Sequence, residues 1–422
     1  MGGYSGEMRT TVRRDFQLFW AGQAVSLVGS QVSALALPLT AALVLDAGPV
    51  QMGLLGAAAF LPFLFLTLPA GAWIDRRRRR PILIGADIGR GILVAVIPIA
   101  AVAELLRIEV LYVVALGSGC CQVLFDLAYL AHVPSLVPRE ELTEANGRLQ
   151  ATASAAEVGG PGIAGLLVQA VGAPLALLLD GVSYLVSAVT LRMISTPEPP
   201  PAPASKSRSF RAEVVEGLRF LRRQPVLRAC AFEAAQFNLF NQVIIAVLIL
   251  HATREIRLEP ALIGLAFAVG SVGSLFGAGL APRIAGRVGV GRAIAGSMVV
   301  ACAAPLLLPL AASSSLPAVV LATSFAIGGF GVAISNVLIV TVRQAITPDE
   351  MLGRLNASYR TLVYGAIPIG SLVGGLLGEV IGLRWTLVVG ALGILVAPAW
   401  VLASAVPRMR RVPDHVDMES AR

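Results

Sequence analysis

Apolar stretches of about 20 residues or more recur along the chain between short polar turns, and each is long enough to cross roughly 30 Å of hydrocarbon as a helix. They predict helical spans over 17–45, 50–74, 81–106, 109–133, 148–171 and 174–194. A second set follows over 226–251, 260–282, 292–312, 316–341, 353–381 and 384–405. The pattern therefore predicts an all-α integral membrane protein with twelve transmembrane helices in two six-helix bundles. One long polar interruption, 195–211 (STPEPPPAPASKSRSFR), has proline clusters that cannot hold a helix, and it separates the two sets. After it, Ala212 to Arg223 reads as an amphipathic helix on the membrane surface, with arginines toward phosphates and Val215, Leu218 and Leu221 toward lipid or protein. The predicted organisation is an N-terminal bundle over 1–194, a cytoplasmic linker with its amphipathic helix over 195–224, a C-terminal bundle over 225–405, and a cytoplasmic tail over 406–422.

The two sets are related in sequence. The segment beginning at Val137 (VPREELTEANGRLQ) reappears at Thr347 (TPDEMLGRLNASYR), and the register continues into a Gly-rich apolar helix. Pro138 matches Pro348, Asn146 matches Asn356, Gly160 matches Gly370, Gly165 matches Gly375 and Gly172 matches Gly382, every pair 210 positions apart. Duplication with so long a period in a very apolar chain points to a secondary transporter with pseudo-symmetric halves.

Composition agrees with a bilayer setting. Of the 422 residues 56% are hydrophobic and 14% charged, against about 25% charged in an ordinary soluble domain, and the mean hydropathy is +0.79. The net charge of +8 does not require nucleic acid. With the N-terminus inside, nearly all arginines fall in inner loops, while outer loops hold only Arg107, Arg254, Arg257 and Arg384. That asymmetry predicts a plasma-membrane protein with both termini in the cytoplasm. Arg13-Arg14-Asp15-Phe16 mimics a twin-arginine export signal, but the apolar run behind it is too long and reads as an uncleaved first helix. The four cysteines have no metal-ligand spacing and read as small buried hydrophobes. No metal and no cofactor is expected.

Three sets of residues carry a recognisable pattern. The loop after the second span reads Gly71-Ala-Trp-Ile-Asp75-Arg76-Arg77-Arg78-Arg79-Arg80. The first span opens Phe16-x-x-Phe19-Trp20-x-Gly22-Gln23-x-x-Ser26-x-x-Gly29. The fifth contains Gly160-Pro161-x-x-x-Gly165, preceded by Val137-Pro138-x-Glu140-x-Leu142-x-x-Ala145-Asn146. Together they resemble the drug and macrolide efflux branch of the major facilitator superfamily, from about Phe16 to about Val401. The resemblance implies that Gly71, Asp75, Arg76 and Arg80 belong to an inner gate, with Asp75 set against the N-terminus of the eleventh helix. Arg78 stands where the motif has a glycine, and Arg77 to Arg79 read as markers of the cytoplasmic face. Gly160, Pro161 and Gly165 correspond to the helix-bend motif of antiporter-type members, which leans toward export.

Ionisable groups inside a membrane are costly and mark a pathway or coupling site. Ser118, Gln122, Asp126 and Tyr129 fall on one stripe of the fourth span, and Gln150, Ser154 and Glu157 on one stripe of the fifth. The seventh carries Glu233, Gln236, Asn238, Asn241 and Gln242. A coupling carboxyl must hold a proton when desolvated and release it when opened to water. Glu157, Asp126 and Glu233 are the candidates, each alternatively a structural pair. Asp87 and Arg90 are spaced to pair with each other. In related transporters the first, fourth, seventh and tenth helices line the cavity, which makes Gln23, Ser30, Gln122, Tyr129, Asn238, Asn241 and Asn336 its candidate lining.

The chain has no GxxxxGK[ST] phosphate loop, no HExxH and no GxSxG nucleophile site. An ATP-driven pump or a membrane enzyme is therefore disfavoured. The resemblance implies a monomeric exporter of amphipathic or hydrophobic small molecules, whose partners are that substrate, protons and membrane lipid, with no nucleic acid. Export of a siderophore or lysolipid is the same-fold alternative, and a non-transporting scaffold or sensor the different one.

Overall fold

The computed structural model describes residues 3–74, 76–198 and 210–411. Fifteen α-helices occupy these residues: α1 (Gly3–Leu43), α2 (Pro49–Phe65), α3 (Thr67–Ile74), α4 (Arg79–Val102), α5 (Ile108–Leu136), α6 (Leu142–Val171), α7 (Ala173–Met193), α8 (Phe210–Arg223), α9 (Pro225–Leu250), α10 (Pro260–Val288), α11 (Val290–Ala303), α12 (Pro317–Ile346), α13 (Asp349–Ile381), α14 (Leu383–Val396) and α15 (Ala399–Leu402). No strand occurs among the described residues.

Every predicted span is occupied by helix. Ten helical stretches are long and apolar enough to cross a membrane among the described residues. The other two expected spans correspond to α2, which is short and continues into α3, and to α6, which is 30 residues long but carries more polar side chains. Large apolar residues such as Ile99, Val102, Leu130, Leu166 and Val380 are exposed on the helix exteriors. A bilayer satisfies such surfaces; water would not.

Turn chemistry explains the abrupt junctions. Pro49, Pro225, Pro260 and Pro317 each begin a helix, where the missing N–H costs nothing. Gly172 ends α6 and opens α7 at φ 84°, ψ 153°, and its repeat partner Gly382 ends α13 and opens α14 at φ 83°, ψ 163°. This backbone region is essentially closed to any residue with a Cβ. The duplicated glycines thus set the same reversal twice.

The chain groups into two compact units: residues 1–47, 58–206 and 259–264, and residues 48–57, 207–258 and 265–422. In the first, α1 packs on α6 and α7, and α4 on α5 and α7. In the second, α9 packs on α13 and α14, and α11 on α12 and α14. The same pairing scheme recurs, as duplication predicts. Phe16, Phe19, Leu83, Val123 and Phe125 anchor the first core; Ile294, Met298, Leu338, Val342 and Leu355 anchor one core of the second.

Small residues permit backbone contact in each unit. A Cβ on Gly165 would lie 2.5 Å from the Pro260 carbonyl oxygen in the first, and a Cβ on Gly53 would lie 2.5 Å from the Ser371 carbonyl oxygen in the second. Such crossings have no room for a side chain. Helix α8 is docked on the second unit rather than lying free: Leu221 is buried in the core and Phe220 packs against it, while Leu218, Arg219, Arg222 and Arg223 are exposed.

Candidate functional site

The first unit encloses a polar cluster where α1, α4, α5 and α7 meet. Arg90 is its hub. From the middle of α4 the guanidinium donates to the carboxylate of Asp87, one turn earlier, and to the side-chain carbonyl of Gln122 on α5. Its faces are covered by the rings of Phe125 at 4.4 Å and Tyr184 at 4.3 Å. A planar cation held between aromatic faces keeps its charge while losing water. Gln122 then passes the connection on, its amide donating to Asp126 Oδ1 at 2.7 Å. The i, i+4 spacing of these two residues on α5 makes that bond local.

From α7, Tyr184 shares a 3.0 Å hydrogen bond with Ser30, and Ser187 Oγ accepts from Gln23 Nε2 at 3.1 Å. Asp180 is completely buried. Its Oδ1 accepts from Ser183 Oγ at 3.2 Å, while its Oδ2 has no hydrogen-bond partner among the described residues. Asp87 Oδ2 and Ser33 Oγ are likewise buried without one. Three carboxyl groups, Asp87, Asp126 and Asp180, thus share one bundle interior with Arg90. Among the described residues Arg90 is the one arginine so deeply buried. Groups in such surroundings have their protonation set by neighbours rather than by bulk solvent.

Four expected cavity residues, Gln23, Ser30, Gln122 and Tyr129, belong to this unit. The first three enter the cluster directly. Tyr129 instead stacks on Phe19 and Phe125, with ring centroids 5.5 Å and 6.2 Å away. Glu157, on α6, is exposed and has no ion pair or hydrogen bond among the described residues. Gly160 faces α1, where an added Cβ would lie 2.5 Å from Gln31 Cβ. Pro161 sits inside α6 without interrupting it.

In the second unit the polar face of α9 divides into separate contacts. Glu233 is buried and makes no ion pair among the described residues, with Cys302 and Tyr359 within electrostatic reach. Arg228, on the same helix, donates to the Arg222 carbonyl at 3.3 Å. Gln236 bridges the Gly393 carbonyl at 2.9 Å and the Trp400 indole at 2.8 Å. Asn238 donates to the Val363 carbonyl at 3.3 Å. Asn241 is half-buried and Asn336 exposed.

The loop motif is split. Asp75 lies outside the described residues, and Gly71 faces open space. Arg80 donates to the carbonyls of Leu191 at 2.8 Å and Arg192 at 2.6 Å. The backbone N–H groups of Arg79 and Arg80 both donate to the Glu198 carboxylate, at 2.5 and 3.1 Å. Glu198 therefore neutralises the exposed donors at the start of α4. Arg76, Arg77 and Arg78 point outward. Sequence reasoning missed Glu198 and also Asp15, a buried acid in α1 whose Oδ2 accepts from Ser195 N, Thr196 N and Thr196 Oγ1 at 2.9, 2.7 and 2.6 Å. Neither acid sits in a periodic pattern, so only the long-range contact reveals its role.

Comparison with known proteins places this architecture. A bacterial homologue of the iron transporter ferroportin, solved in an inward-facing state, matches with a TM-score of 0.75 over 92% of this chain and 98% of that one, at 20% identity, a likeness of fold alone. The multidrug efflux pump Tap of Mycolicibacterium fortuitum is 27% identical over 379 residues, covering 87% of this chain and 88% of that protein. Macrolide efflux protein A of Streptococcus pyogenes is 26% identical over 396 residues, covering 90% and 94%. The family model for transmembrane secretion effectors matches residues 8–420. Together with the helical fold, that match identifies the chain as a membrane transporter of the major facilitator type, a member of the transmembrane secretion effector family.

Proposed function

We propose that the protein exports amphipathic or hydrophobic small molecules, of the drug or macrolide kind, by alternating access in exchange for protons. The two fully buried carboxyl groups Asp87 and Asp180, set beside the single guanidinium of Arg90, carry the proton part of this reading. Ionising Asp87 and Asp180 together would leave one charge more than Arg90 offsets, in a medium where each bare ion costs several kcal/mol. A proton resident on the cluster removes that cost, and opening to water restores it to solvent. Asp126 is the half-buried member and carries the exchange; Glu157 and Glu233 are the further candidates. The cargo class is supported by the two efflux relatives, a multidrug pump and a macrolide efflux protein, which align over most of both chains. The bacterial efflux relatives support a bacterial plasma-membrane location, and the arginine asymmetry supports both termini inside. The protein acts as a monomer, and in cells it contributes to antibiotic resistance.

The test is macrolide and dye accumulation by inverted membrane vesicles, with and without an imposed pH gradient. Accumulation is expected to stop when an ionophore collapses the gradient, and Asp126→Asn is expected to retain substrate binding while losing gradient-driven flux. Ionophore-insensitive accumulation would remove the proton step. Full coupled flux in Asp126→Asn, Glu157→Gln and Glu233→Gln alike would remove all three assignments.

A further inference from the structure

The five consecutive arginines after α3 do not act as one group. Arg79 and Arg80 are turned back onto Glu198 and the end of α7, whereas Arg76, Arg77 and Arg78 are exposed. Among the described residues, no carboxylate comes within ion-pair distance of these three. Arg77 is held in place by its stack on the Trp73 ring, 4.9 Å from the centroid. A guanidinium resting on an indole keeps its N–H donors free for a phosphate oxygen pair.

Two grooves border Trp73, and both include Arg76 and Arg77 in their walls. One, of about 620 Å³, runs on from Arg78 along α4 and α5 past Ile82, Gly85 and Leu124. The other, of about 610 Å³, lies over Pro69. The floor of the first is open at Gly85, where an added Cβ would meet nothing within 4 Å. Beside three cations there is thus an apolar trough on the outside of a membrane-spanning helix pair, headed by a tryptophan of the kind that sits at headgroup depth.

We propose that Trp73, Arg76, Arg77 and Arg78, with Ile82 and Leu124, form a binding site for an anionic diacyl phospholipid. The phosphate is received by the three arginines. One acyl chain runs along the trough between α4 and α5, and the second lies on the other side of Trp73. Charge selects the class. A choline or ethanolamine headgroup would bring a cation toward three guanidinium groups, whereas a glycerol headgroup leaves the lipid net negative. The site is separate from the buried Asp87–Arg90 cluster and does not depend on the proton reading above.

The full-length protein in detergent is titrated by native mass spectrometry with dioleoyl phosphatidylglycerol, dioleoyl phosphatidylcholine, or sodium phosphate. Phosphatidylglycerol is expected to bind about tenfold or more tightly than phosphatidylcholine, because it alone brings a net negative headgroup to the three arginines. Arg76→Gln/Arg77→Gln/Arg78→Gln is expected to abolish that preference. Gly85→Phe, which keeps the arginines and fills the trough, is expected to weaken both lipids. Changing the equally exposed Arg408, Arg410 and Arg411 to Gln is expected to leave the preference intact. The proposal is overturned if the two lipids bind equally, or if the Arg408/Arg410/Arg411 variant loses the preference as well. It is also overturned if Gly85→Phe has no effect, or if sodium phosphate displaces phosphatidylglycerol at matched concentration, which would leave an anion site without a lipid.

Discussion

Replacing Arg90 by methionine isolates the energetics of the buried cluster. The change keeps a long apolar stem on α4 but removes the cation from between Phe125 and Tyr184 and from contact with Asp87 and Gln122. Asp87 is fully buried, so the loss of Arg90 leaves its carboxylate with no cation and only the Ser187 hydroxyl beside it. Breaking a buried pair in this way costs about 3–5 kcal/mol, chiefly as the penalty of the stranded partner. The two ring contacts contribute within that figure and do not add to it, since all four groups act on the same guanidinium. Asp87→Asn/Arg90→Met removes the stranded charge, so the pair should show a coupling of about 2 kcal/mol, within the range for contacting residues. Unfolding of the detergent-solubilised protein by dodecyl sulfate, followed by tryptophan fluorescence, measures both. Arg90→Lys should fall between parent and methionine variant, because an ammonium keeps charge but not the planar stack. An Arg90→Met protein within about 0.5 kcal/mol of the parent, the scatter of an ordinary surface change, would refute the reasoning. So would strict additivity in the cycle.

Two other outcomes follow from the same structure. Gly172→Ala and Gly382→Ala should each destabilise by about 1–3 kcal/mol in that assay, and by similar amounts, because both hold a backbone region closed to alanine at repeat-related junctions. Glu198→Gln should cost about 1 kcal/mol through loss of the charged cap on α4; amide exchange at Arg79 and Arg80 should accelerate while exchange in the middle of α4 stays unchanged.

Much of the architecture was legible because membrane helices must satisfy their backbones internally, which makes apolar length a direct reading of the spans. The repeat carried further than that. Gly172 and Gly382, matched by register alone, prove to be the same turn with nearly the same dihedral angles. The Asp87–Arg90 pair was visible because three residues along a helix is a local distance. Its other companions were not, since Gln122, Phe125 and Tyr184 come from helices whose packing no local pattern records. Periodicity placed Glu157 and Asp126 on polar stripes, but a stripe does not say what it faces: Glu157 is exposed, and Asp126 joins a network. The arginine run shows the same boundary. Its division into two tethered and three outward side chains depends on Glu198 and on the carbonyls ending α7, more than a hundred positions away.

Asp15 and Glu198 clasp the first few residues after α7 from both ends, so Ser195, Thr196 and Glu198 are tied into the first unit. Anyone dividing this transporter into two co-expressed fragments, or inserting a protease site or fluorescent reporter between its halves, should cut after Glu198. A break at Ile194 would leave Asp15 sealed without its donors and α4 without its cap, and the amino-terminal fragment would have to mature lacking both.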